Sequence, residues 1–484
     1  MNALKNGLLI SILTPLVLLQ SGASSPQRRR EPSDYTYSAA LTGDLQKLRD
    51  AALSSDYAYS RLAHLCNNIG PRLSGSPQAS RAVEYVAAEM RKLGADVTLE
   101  KVRVSHWERG IETGEIVEFP GQAPGTVQKI VLTALGGSIA TPEEGLTAGV
   151  VVVRDFNELN SIGRERVAGK IVLFNAKFDK EKAAQGMALE AYSEAVVYRG
   201  AGASAAAKLG AVAALIRSVG GAEFRLPHTG ALRYQDGTQR IPAAAVSTED
   251  ADLLASLSSQ GPIRMRLTLT PKFLDDVESY NVVADLKGSE HPEQVVIVSG
   301  HLDSWDLGTG AIDDGAGVVV AMQTLNLIKQ LGLRPRRTIR FIAWMNEENG
   351  LAGGRAYAED HRSELSNHVV AIESDLGAGH PAGISFHASE KAIQQLQPIG
   401  GVLQSLGANI VRRTLNAEGA DVSPLDAAGV PTAAPIQDNR TYFNYHHTAA
   451  DTLDKVNPRE LSENAAVMAV TAYAVACMPE PLQR

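Results

Sequence analysis

The chain of 484 residues contains little of several residue types on which common functional sites depend. Its two cysteines, Cys66 and Cys477, are too few to ligate zinc, so a zinc site would have to use histidine nitrogen and carboxylate oxygen. Whether they pair with each other stays open. Aromatic residues make up 5% of the chain, and no basic stripe offsets the formal net charge of −8. Both features argue against a nucleic-acid partner.

Two further absences narrow the class of protein. No Gly-x-Ser-x-Gly string occurs, which disfavours a serine hydrolase. The apolar stretch Leu8–Leu19 is too short to span a bilayer and is interrupted by Pro15. Lys5 before this stretch and the small residues 21–23 after it are typical of a signal peptide over residues 1–23, with a membrane anchor as the alternative. We therefore expect a secreted or periplasmic protein without a stable membrane anchor.

Short runs of β-branched residues alternate with a helical pattern in the second half of the chain. Residues 295–298, 338–344 and 369–372 predict buried strands, and residues 315–331 between the first two carry apolar side chains at near-helical spacing. The order strand, helix, strand predicts a parallel α/β unit. Ligands of such sheets bind beyond the carboxyl ends of the strands.

Acidic and histidine side chains follow these strands or lie in the loops after them. They are His301, Asp313, Glu347, Glu348 and Asp375, with His447 further along the chain. Scattered carboxylates would indicate a solvated surface, whereas carboxylates and imidazoles gathered at strand ends indicate a metal site. Such a site, with a coordination position left open for water, would catalyse hydrolysis.

The spacing suggests how these residues divide their roles. Asp313 lies in a Gly-rich loop and fits a carboxylate shared by two metals. Neighbouring side chains diverge on an extended backbone, so Glu347 and Glu348 could reach the water and a metal separately. Asp303, two residues after His301, could accept the second N–H of that imidazole. The plainer explanations are a solvated glutamate pair and an ordinary turn.

Five motifs together resemble the family of co-catalytic zinc exopeptidases, of the aminopeptidase Y and glutamate carboxypeptidase type. The motifs are Gly300–Trp305, Gly310–Gly315, Asn346–Glu348, Glu373–Asp375 and His447–Thr452. The resemblance covers about residues 60–475 and implies two zinc ions per chain. It makes Asp313 the bridge, places Glu348 and His447 on one zinc ion, and places His301 and Asp375 on the other.

The resemblance also implies roles beside the metal ligands. Glu347 would be the general base that activates the water between the two zinc ions. His447 is preferred to His446 as the ligand because it opens a His-Thr-x-x-Asp-Thr string. His446 stands where some relatives have a tyrosine that stabilises the oxyanion, and we expect it to be the oxyanion donor. Asp314 would support the ligands, joined to Asp313 by a peptide bond that is strained or cis in relatives.

Residues 115–270 lack ligand motifs and carry strand patterns of their own, at 149–153, 169–174 and 210–216. This segment resembles the protease-associated insert of many relatives. We therefore predict an α/β protein with a mixed, mostly parallel sheet and helices on both faces (the zinc-exopeptidase fold), plus an inserted protease-associated domain. The catalytic domain would then comprise residues 24–114, which include a leader, and residues 271–484.

The substrate is less well specified by the sequence. Asp421 lies where relatives build a loop near the substrate, and it could hold a free α-ammonium group or cap a turn. The resemblance implies dipeptides or short peptides with free termini as substrates, and a homodimer. The alternatives are an aminopeptidase acting on longer peptides and a noncatalytic binding protein. The presence of all six metal and base positions disfavours the binding protein.

Overall fold

The computed structural model describes residues 35–483, which build two eight-stranded sheets and the helices that cover them. The helices are Ala39–Leu53 (α1), Tyr57–His64 (α2), Pro77–Lys92 (α3), Phe156–Val167 (α4), Lys180–Ala184 (α5), Ala188–Lys208 (α6), Thr248–Gln260 (α7), Ala316–Gln330 (α8), Ala352–Asp360 (α9), Glu390–Leu403 (α10), Ser423–Ala427 (α11) and Pro458–Cys477 (α12). Several begin at a side-chain cap, as where the Ser76 hydroxyl accepts the N–H of Ala79.

The strands alternate with these helices along most of the chain. They are Asp96–Glu108 (β1), Glu112–Glu118 (β2), Gln128–Ile130 (β3), Leu132–Ala134 (β4), Leu146–Val153 (β5), Ile171–Phe174 (β6), Ala213–Arg217 (β7), Ala243–Val246 (β8), Arg264–Leu269 (β9), Lys272–Leu286 (β10), His291–His301 (β11), Arg337–Trp344 (β12), His368–Glu373 (β13), Pro381–His387 (β14), Ile410–Arg413 (β15) and Thr432–Gln437 (β16). The three strands and the helix predicted around the metal residues are confirmed as β11, β12, β13 and α8.

The sheet that carries the candidate ligands has the order β1-β10-β12-β11-β13-β16-β14-β15. Its four central strands β12, β11, β13 and β16 run parallel, whereas β1 and β10 pair antiparallel with their neighbours. Strand β14 pairs antiparallel with β16 and parallel with β15. The parallel centre follows from the helical crossovers between consecutive strands. The prediction of a mixed α/β protein is confirmed.

Both faces of this sheet are buried. Because strand side chains alternate, Val296 and Val298 of β11 join one apolar cluster while Val295 and Ile297 join another. The first cluster includes the side chains of α1, α2, α3, α8, α10 and α12, and the second includes Tyr357 of α9 together with residues of α11. Because both faces of the central strands are buried, their sequences are continuous apolar runs.

The second sheet is built by residues 112–269 and has the order β3-β2-β9-β5-β6-β7-β8-β4. Its position matches the segment for which we predicted a separate insert. The chain leaves and rejoins the first sheet at paired strands, since Glu108 of β1 lies opposite Lys272 of β10. An insertion whose two ends lie side by side leaves the host sheet continuous.

Three sequence predictions concern the ends of the chain. The predicted signal peptide, residues 1–23, lies outside the described residues. Among residues 35–483, no helix combines the length and apolar character needed to cross a membrane. Cys66 and Cys477 are both free thiols, so the structure contains no disulfide between them.

Candidate metal centre

The candidate ligands meet at one edge of the first sheet because they follow parallel strands. His301 is the last residue of β11, and Asp375 follows two residues after the end of β13. Glu347 and Glu348 lie in the turn between β12 and α9. The parallel strands end at the same edge, so side chains far apart in sequence come together there.

One group of donors consists of His301, Asp313 and Asp375. The His301 Nε2 atom lies 3.2 Å from Asp313 Oδ1 and 3.3 Å from Asp375 Oδ1. One donor atom from each residue lies within 4.8 Å of the others. His301 and Asp313 are buried, while the Asp375 side chain keeps 20% of its surface exposed on the cavity side.

A second group forms around the other oxygen of Asp313. The His447 Nε2 atom lies 3.2 Å from Asp313 Oδ2 and 3.0 Å from Glu348 Oε2. Burial alone would raise the pKa of the Asp313 carboxyl, but the surrounding imidazoles hold it well below its usual range. Asp313 therefore presents one oxygen to each donor group, which is the arrangement expected of a bridging ligand.

The chemistry of these donors fits a pair of zinc ions. Asp313 Oδ2 and Glu348 Oε1 are buried and have no hydrogen-bond partner among the described residues. Buried carboxylate oxygens without donors are costly unless a cation compensates them. The pKa of His447, which burial lowers, is raised to about 9 by Glu348 and Asp313, so this cluster of carboxylates attracts positive charge. Imidazole nitrogen and carboxylate oxygen are established zinc ligands.

The outer nitrogens of both ligand histidines face main-chain carbonyl groups. His301 Nδ1 lies 2.9 Å from the carbonyl oxygen of Asp303, and His447 Nδ1 lies 3.3 Å from that of Thr229. An N–H at each Nδ1 leaves the lone pair on Nε2, the nitrogen that faces the carboxylates. The second acceptor, Thr229, belongs to the inserted segment.

His446 lies beside His447 and reaches the same carboxylate. Its Nε2 is 3.6 Å from Asp313 Oδ2, and its ring stacks on that of His447 with 3.5 Å between the centroids. The left-handed backbone of His447, with φ of 62°, brings these consecutive side chains together. His447 alone of the two also contacts Glu348, which agrees with its assignment as the ligand. Burial, followed by the charge of His447, holds the pKa of His446 well below its usual value, so His446 is neutral.

Glu347 lines the same cavity as Asp313, Glu348 and Asp375. Burial raises the pKa of the Glu347 carboxyl well above its usual value, and the neighbouring carboxylates Glu348 and Asp375 raise it further. A carboxylate with raised proton affinity is suited to accept a proton and release it again. The geometry therefore agrees with the role expected for Glu347.

The role predicted for the Asp303 carboxylate is wrong. Its main-chain carbonyl, rather than its side chain, faces His301 Nδ1, and the nearest carboxylate oxygen lies 4.0 Å away. The Asp303 Oδ1 atom instead accepts the N–H groups of Asn346, at 2.7 Å, and of Glu347, at 3.1 Å. After β11, the main-chain carbonyl of Asp303 therefore faces the imidazole of His301. The carboxylate of Asp303 instead anchors the turn that bears Glu347, the predicted base.

Asp314 supports the site as expected. Its two oxygens accept the N–H groups of His301, at 3.0 Å, and Gly317, at 2.9 Å. The peptide bond between Asp313 and Asp314 is cis, in agreement with the prediction. A Cβ atom on Gly300 would lie 2.5 Å from Asp314 Oδ2, which explains the glycine before His301.

Asp421 is fully buried, and its carboxylate does not line the cavity. Neither of its oxygens has a hydrogen-bond partner among residues 35–483, so it does not cap a turn either. Its main-chain N–H donates to Glu373 Oε1 at 3.3 Å. Both expectations for this side chain are therefore corrected, because the loop exposes Ala420 and turns Asp421 inward.

The cavity in front of the ligands has a volume of about 810 Å³. It is lined by the metal-site residues and, from the inserted segment, by Tyr192, Val196 and Arg199 of α6. Tyr192 stacks on Phe443, with 4.3 Å between the ring centroids. The inserted sheet therefore contributes side chains to the space in which a substrate would bind.

Residues 281–472 match the peptidase family M28. Carboxypeptidase Q of Homo sapiens is 39% identical over 482 residues, which cover 98% of this chain and 97% of that protein. The chain belongs to peptidase family M28. The membership confirms the family resemblance of the motifs and the prediction of an enzyme of the zinc-dependent exopeptidase class. The stretches His301–Asp306 and Ala311–Asp314 resemble carboxypeptidase Q, and this comparison confirms the resemblance.

Two further comparisons support this assignment. A peptidase M28 precursor from Shewanella amazonensis has a crystal structure that matches with a TM-score of 0.86 at 39% identity, covering 92% of this chain and 98% of that chain. Aminopeptidase YwaD of Bacillus subtilis is 24% identical over 96% of this chain and 93% of its own length. The M28 peptidase fold with mixed sheets is thus confirmed. Both a carboxypeptidase and an aminopeptidase are among the relatives.

Three supporting residues of this M28 peptidase were missed by the sequence reasoning. Asp451 Oδ1 accepts the N–H groups of Ala311 and Ile312, both at 2.8 Å, and so fixes the loop before Asp313. Its place in the His-Thr-x-x-Asp-Thr string was the signal that could have identified it. Arg72 and Arg199 carried no such signal, because their partners lie far away in the sequence.

Proposed function

We propose that this chain is a secreted di-zinc exopeptidase that hydrolyses dipeptides or short peptides with free termini. The observation that carries the proposal is the placement of Asp313, which offers one oxygen to each of two donor groups in a cavity that also contains Glu347. Asp313, Glu348 and His447 would hold one zinc ion, and Asp313, His301 and Asp375 would hold the other.

The residues of the chain then divide the chemistry. A pair of bound zinc ions supplies Lewis acidity and lowers the pKa of a water molecule. Glu347 accepts the proton of the attacking water and delivers it to the leaving amine. The Asp303 carboxylate holds the main-chain N–H of Glu347 and keeps the turn in place. His446, which is neutral, donates a hydrogen bond to the oxyanion.

The position of helix α6 favours short substrates. This helix lines the same cavity as the metal-site residues and would limit the length of peptide that can extend past the site. We propose that the inserted sheet is a protease-associated domain and that its function is to close this side of the cavity. The alternative function is an aminopeptidase acting on longer peptides, which the relationship to aminopeptidase YwaD favours.

The proposal includes the cellular context. The pattern of residues 1–23 supports export through a signal peptide, and the resemblance to the carboxypeptidase family supports a homodimer. Release of the mature chain into the periplasm or medium, checked by N-terminal sequencing, tests the first point. Light scattering coupled to size-exclusion chromatography tests the second.

The function itself is tested with one peptide series and elemental analysis. We expect purified, unchelated protein to contain two zinc ions per chain and to cleave a dipeptide, but not its N-acetylated or C-amidated derivative. Cleavage of C-amidated tetrapeptides at the same rate as dipeptides would establish the aminopeptidase instead. Absence of zinc together with absence of any peptidase activity would leave a binding protein and refute the proposal.

A further inference from the structure

The two proposed zinc sites differ in how their histidine is held. We call them the His447 site, with Asp313 and Glu348, and the His301 site, with Asp313 and Asp375. His301 Nδ1 faces the carbonyl group of Asp303 in its own loop. His447 is held by Thr229 of the inserted segment, 218 residues away in the sequence. The Thr229 carbonyl oxygen lies 3.3 Å from His447 Nδ1, and the Thr229 N–H donates to the His447 carbonyl oxygen at 2.9 Å.

His447 needs this support because its backbone is left-handed, with φ of 62°. That conformation is unfavourable for a residue with a Cβ atom and persists only where the surrounding contacts fix it. A loop released from Thr229 would relax and withdraw His447 Nε2 from its position 3.0 Å from Glu348 Oε2. The position of Thr229 therefore matters for one half of the metal centre.

Arg109 joins Thr229 to the loop that follows His301. It lies between β1 and β2, where the chain enters the second sheet, and its side chain is 10% exposed. Its Nε and Nη2 atoms donate to the two oxygens of Asp306, at 2.7 Å and 2.5 Å. Nη2 also donates to the hydroxyl oxygen of Thr229 at 3.2 Å. One guanidinium therefore connects the loop of the first ligand histidine to the support of the second.

The remaining hydrogen bonds of Arg109 reach the edge of the second sheet. Nη1 donates to the carbonyl oxygen of Ala134 at 2.6 Å and to the Thr133 hydroxyl at 2.7 Å, and it lies 3.1 Å from Glu112. The Thr229 hydroxyl donates to the same Ala134 carbonyl at 2.9 Å. The planar guanidinium fork makes these contacts together, and a lysine ammonium group cannot reproduce them. Arg109 thus fixes Thr229 to β4 as well as to the loop after His301.

Trp305 packs at the same junction. This side chain of the loop after His301 is 4% exposed and belongs to the apolar cluster of the second sheet. A Cβ atom on Gly136 would lie 1.9 Å from Trp305 Cη2, so only a glycine there leaves room for the indole. The Trp305 ring meets the His447 ring at a steep angle, with 5.7 Å between the centroids. The two sheets are therefore joined directly beside His447.

We propose that Arg109 is a positioning residue that determines how tightly the His447 site binds zinc. Arg109 fixes Thr229, and Thr229 holds His447 at both its imidazole and its main chain. The inference rests on the proposed function, because it assumes that the His447 site binds zinc. The His301 site should not share this dependence, because Arg72 holds the loop after His301 by separate hydrogen bonds.

The test compares the wild type with Arg109→Met, with Arg109→Lys and with Thr229→Val, which removes only the hydroxyl that Arg109 contacts. Arg217→Met is the matched control. The Arg217 side chain is 9% exposed and also donates to both oxygens of an aspartate, Asp252, at 2.7 Å and 3.1 Å. Both control residues belong to the inserted segment, and neither lines the cavity. Zinc-loaded proteins are dialysed against rising concentrations of a chelator, and elemental analysis gives the zinc per chain.

We expect Arg109→Met to release one zinc ion at a chelator concentration about 10-fold lower than the wild type does, the lower end of the loss that follows removal of a group supporting a metal ligand. The other ion should stay bound as in the wild type. Thr229→Val should show a smaller shift, Arg109→Lys should recover part of the loss, and Arg217→Met should release zinc as the wild type does. Added zinc should restore the peptidase activity of Arg109→Met, which it would not do for a misfolded protein.

A ligand variant identifies the ion that is lost. His447→Ala should keep one ion, in the His301 site. If Arg109 acts through His447, adding Arg109→Met to His447→Ala leaves the affinity for this remaining ion unchanged, because both changes affect the same site. A further fall in affinity would show that Arg109 supports the loop after His301 instead, and it would overturn the inference.

The remaining outcomes separate the inference from the proposed function. A wild type that binds two zinc ions and cleaves dipeptides, while Arg109→Met releases zinc as the wild type does, would refute the role of Arg109 alone. Earlier loss of both ions together, or an equal shift in Arg217→Met, would show that Arg109 only stabilises the fold. A wild type without zinc in the His447 site would refute the proposed function and the inference together. If Arg109→Met does not fold, an unshifted release of zinc from Thr229→Val refutes the inference.

Discussion

Replacement of Arg72 by alanine should release the loop that connects two metal ligands. The Arg72 side chain is fully buried, and besides the carbonyl of Gly70 close by in the chain, at 3.4 Å, it donates to three distant main-chain carbonyl groups, those of Leu302 at 2.7 Å, Thr309 at 2.7 Å and Gly310 at 2.9 Å. These three distant acceptors all lie in residues 302–310, between His301 and Asp313. One guanidinium therefore fixes the shape of this loop.

The expected cost follows from the acceptors left without a donor. The Gly310 carbonyl keeps the N–H of Gly315, whereas those of Leu302 and Thr309 lose their donor. Each buried, unsatisfied group costs roughly 1–3 kcal/mol, so these two carbonyls together would cost at least about 2 kcal/mol, and the lost packing of the side chain adds to this. Water entering the space left by the side chain satisfies some of them. We expect the free energy of unfolding of Arg72→Ala to fall by about 3–5 kcal/mol, a large part of a typical total of about 5–15 kcal/mol. Arg72→Lys should lose nearly as much, because an ammonium group cannot reproduce the fork.

The measurement is urea unfolding of the zinc-free protein, followed by tryptophan fluorescence. Arg81→Ala, an exposed arginine on α3, is the control and should stay within about 0.5 kcal/mol of the wild type. A second measurement is zinc content after dialysis, which should fall in Arg72→Ala because the loop no longer holds His301 and Asp313 in register. If Arg72→Ala and Arg81→Ala unfolded at the same urea concentration, the reasoning would be refuted.

Four further predictions concern the active site and one partly buried ion pair. Glu347→Gln should lower kcat by about 10²–10⁴-fold with zinc content unchanged; full turnover would exclude it as the base. Asp313→Asn should reduce bound zinc at both positions, and elemental analysis that still finds two ions would contradict the bridge. His446→Phe should lower kcat while zinc stays bound, and an unaffected kcat would refute the oxyanion role. Glu100 lies 2.9 Å from His361 Nε2 and raises the pKa of that imidazole, so its stabilising effect is present below pH about 6.5 and disappears as the pH rises through the raised pKa. Glu100→Gln should therefore lower stability by up to about 1 kcal/mol at acidic pH and by nothing at alkaline pH, and an equal loss at both would contradict the pairing.

The metal residues could be predicted because the signal is local. Each of His301, Glu348 and Asp375 follows an apolar run within a few residues, and the order of strands and helices determines that their ends share one edge. The resemblance of the motifs to a peptidase family then assigned separate roles to residues that the spacing alone did not distinguish. His447 was chosen over His446 in this way, and the contact of His447 with Glu348 agrees with that choice.

The spacing of residues in the sequence did not reveal which of their atoms make the contacts. The backbone geometry of the loops decided this. Asp303 was expected to hold His301 through its carboxylate, yet the turn after β11 presents the carbonyl group instead. Asp421 was expected to contact the substrate. Its loop instead places Ala420 at the cavity and buries Asp421 beside Glu373. The backbone conformation of a loop decides whether a given side chain points into the cavity or away from it. A short sequence motif does not specify that conformation.

The sequence by itself determined the central strands of the first sheet and the candidate metal residues at their ends, because these depend on hydrophobic periodicity and on residues close along the chain. The resemblance of its motifs indicated the family. The tertiary structure alone decided which residues distant in the sequence complete the site. Arg199 lies 248 residues before His447, and Arg72 lies 238 residues before Gly310. Contacts over such separations form only when distant parts of the chain have packed together, so they follow from the assembled fold rather than from any local pattern.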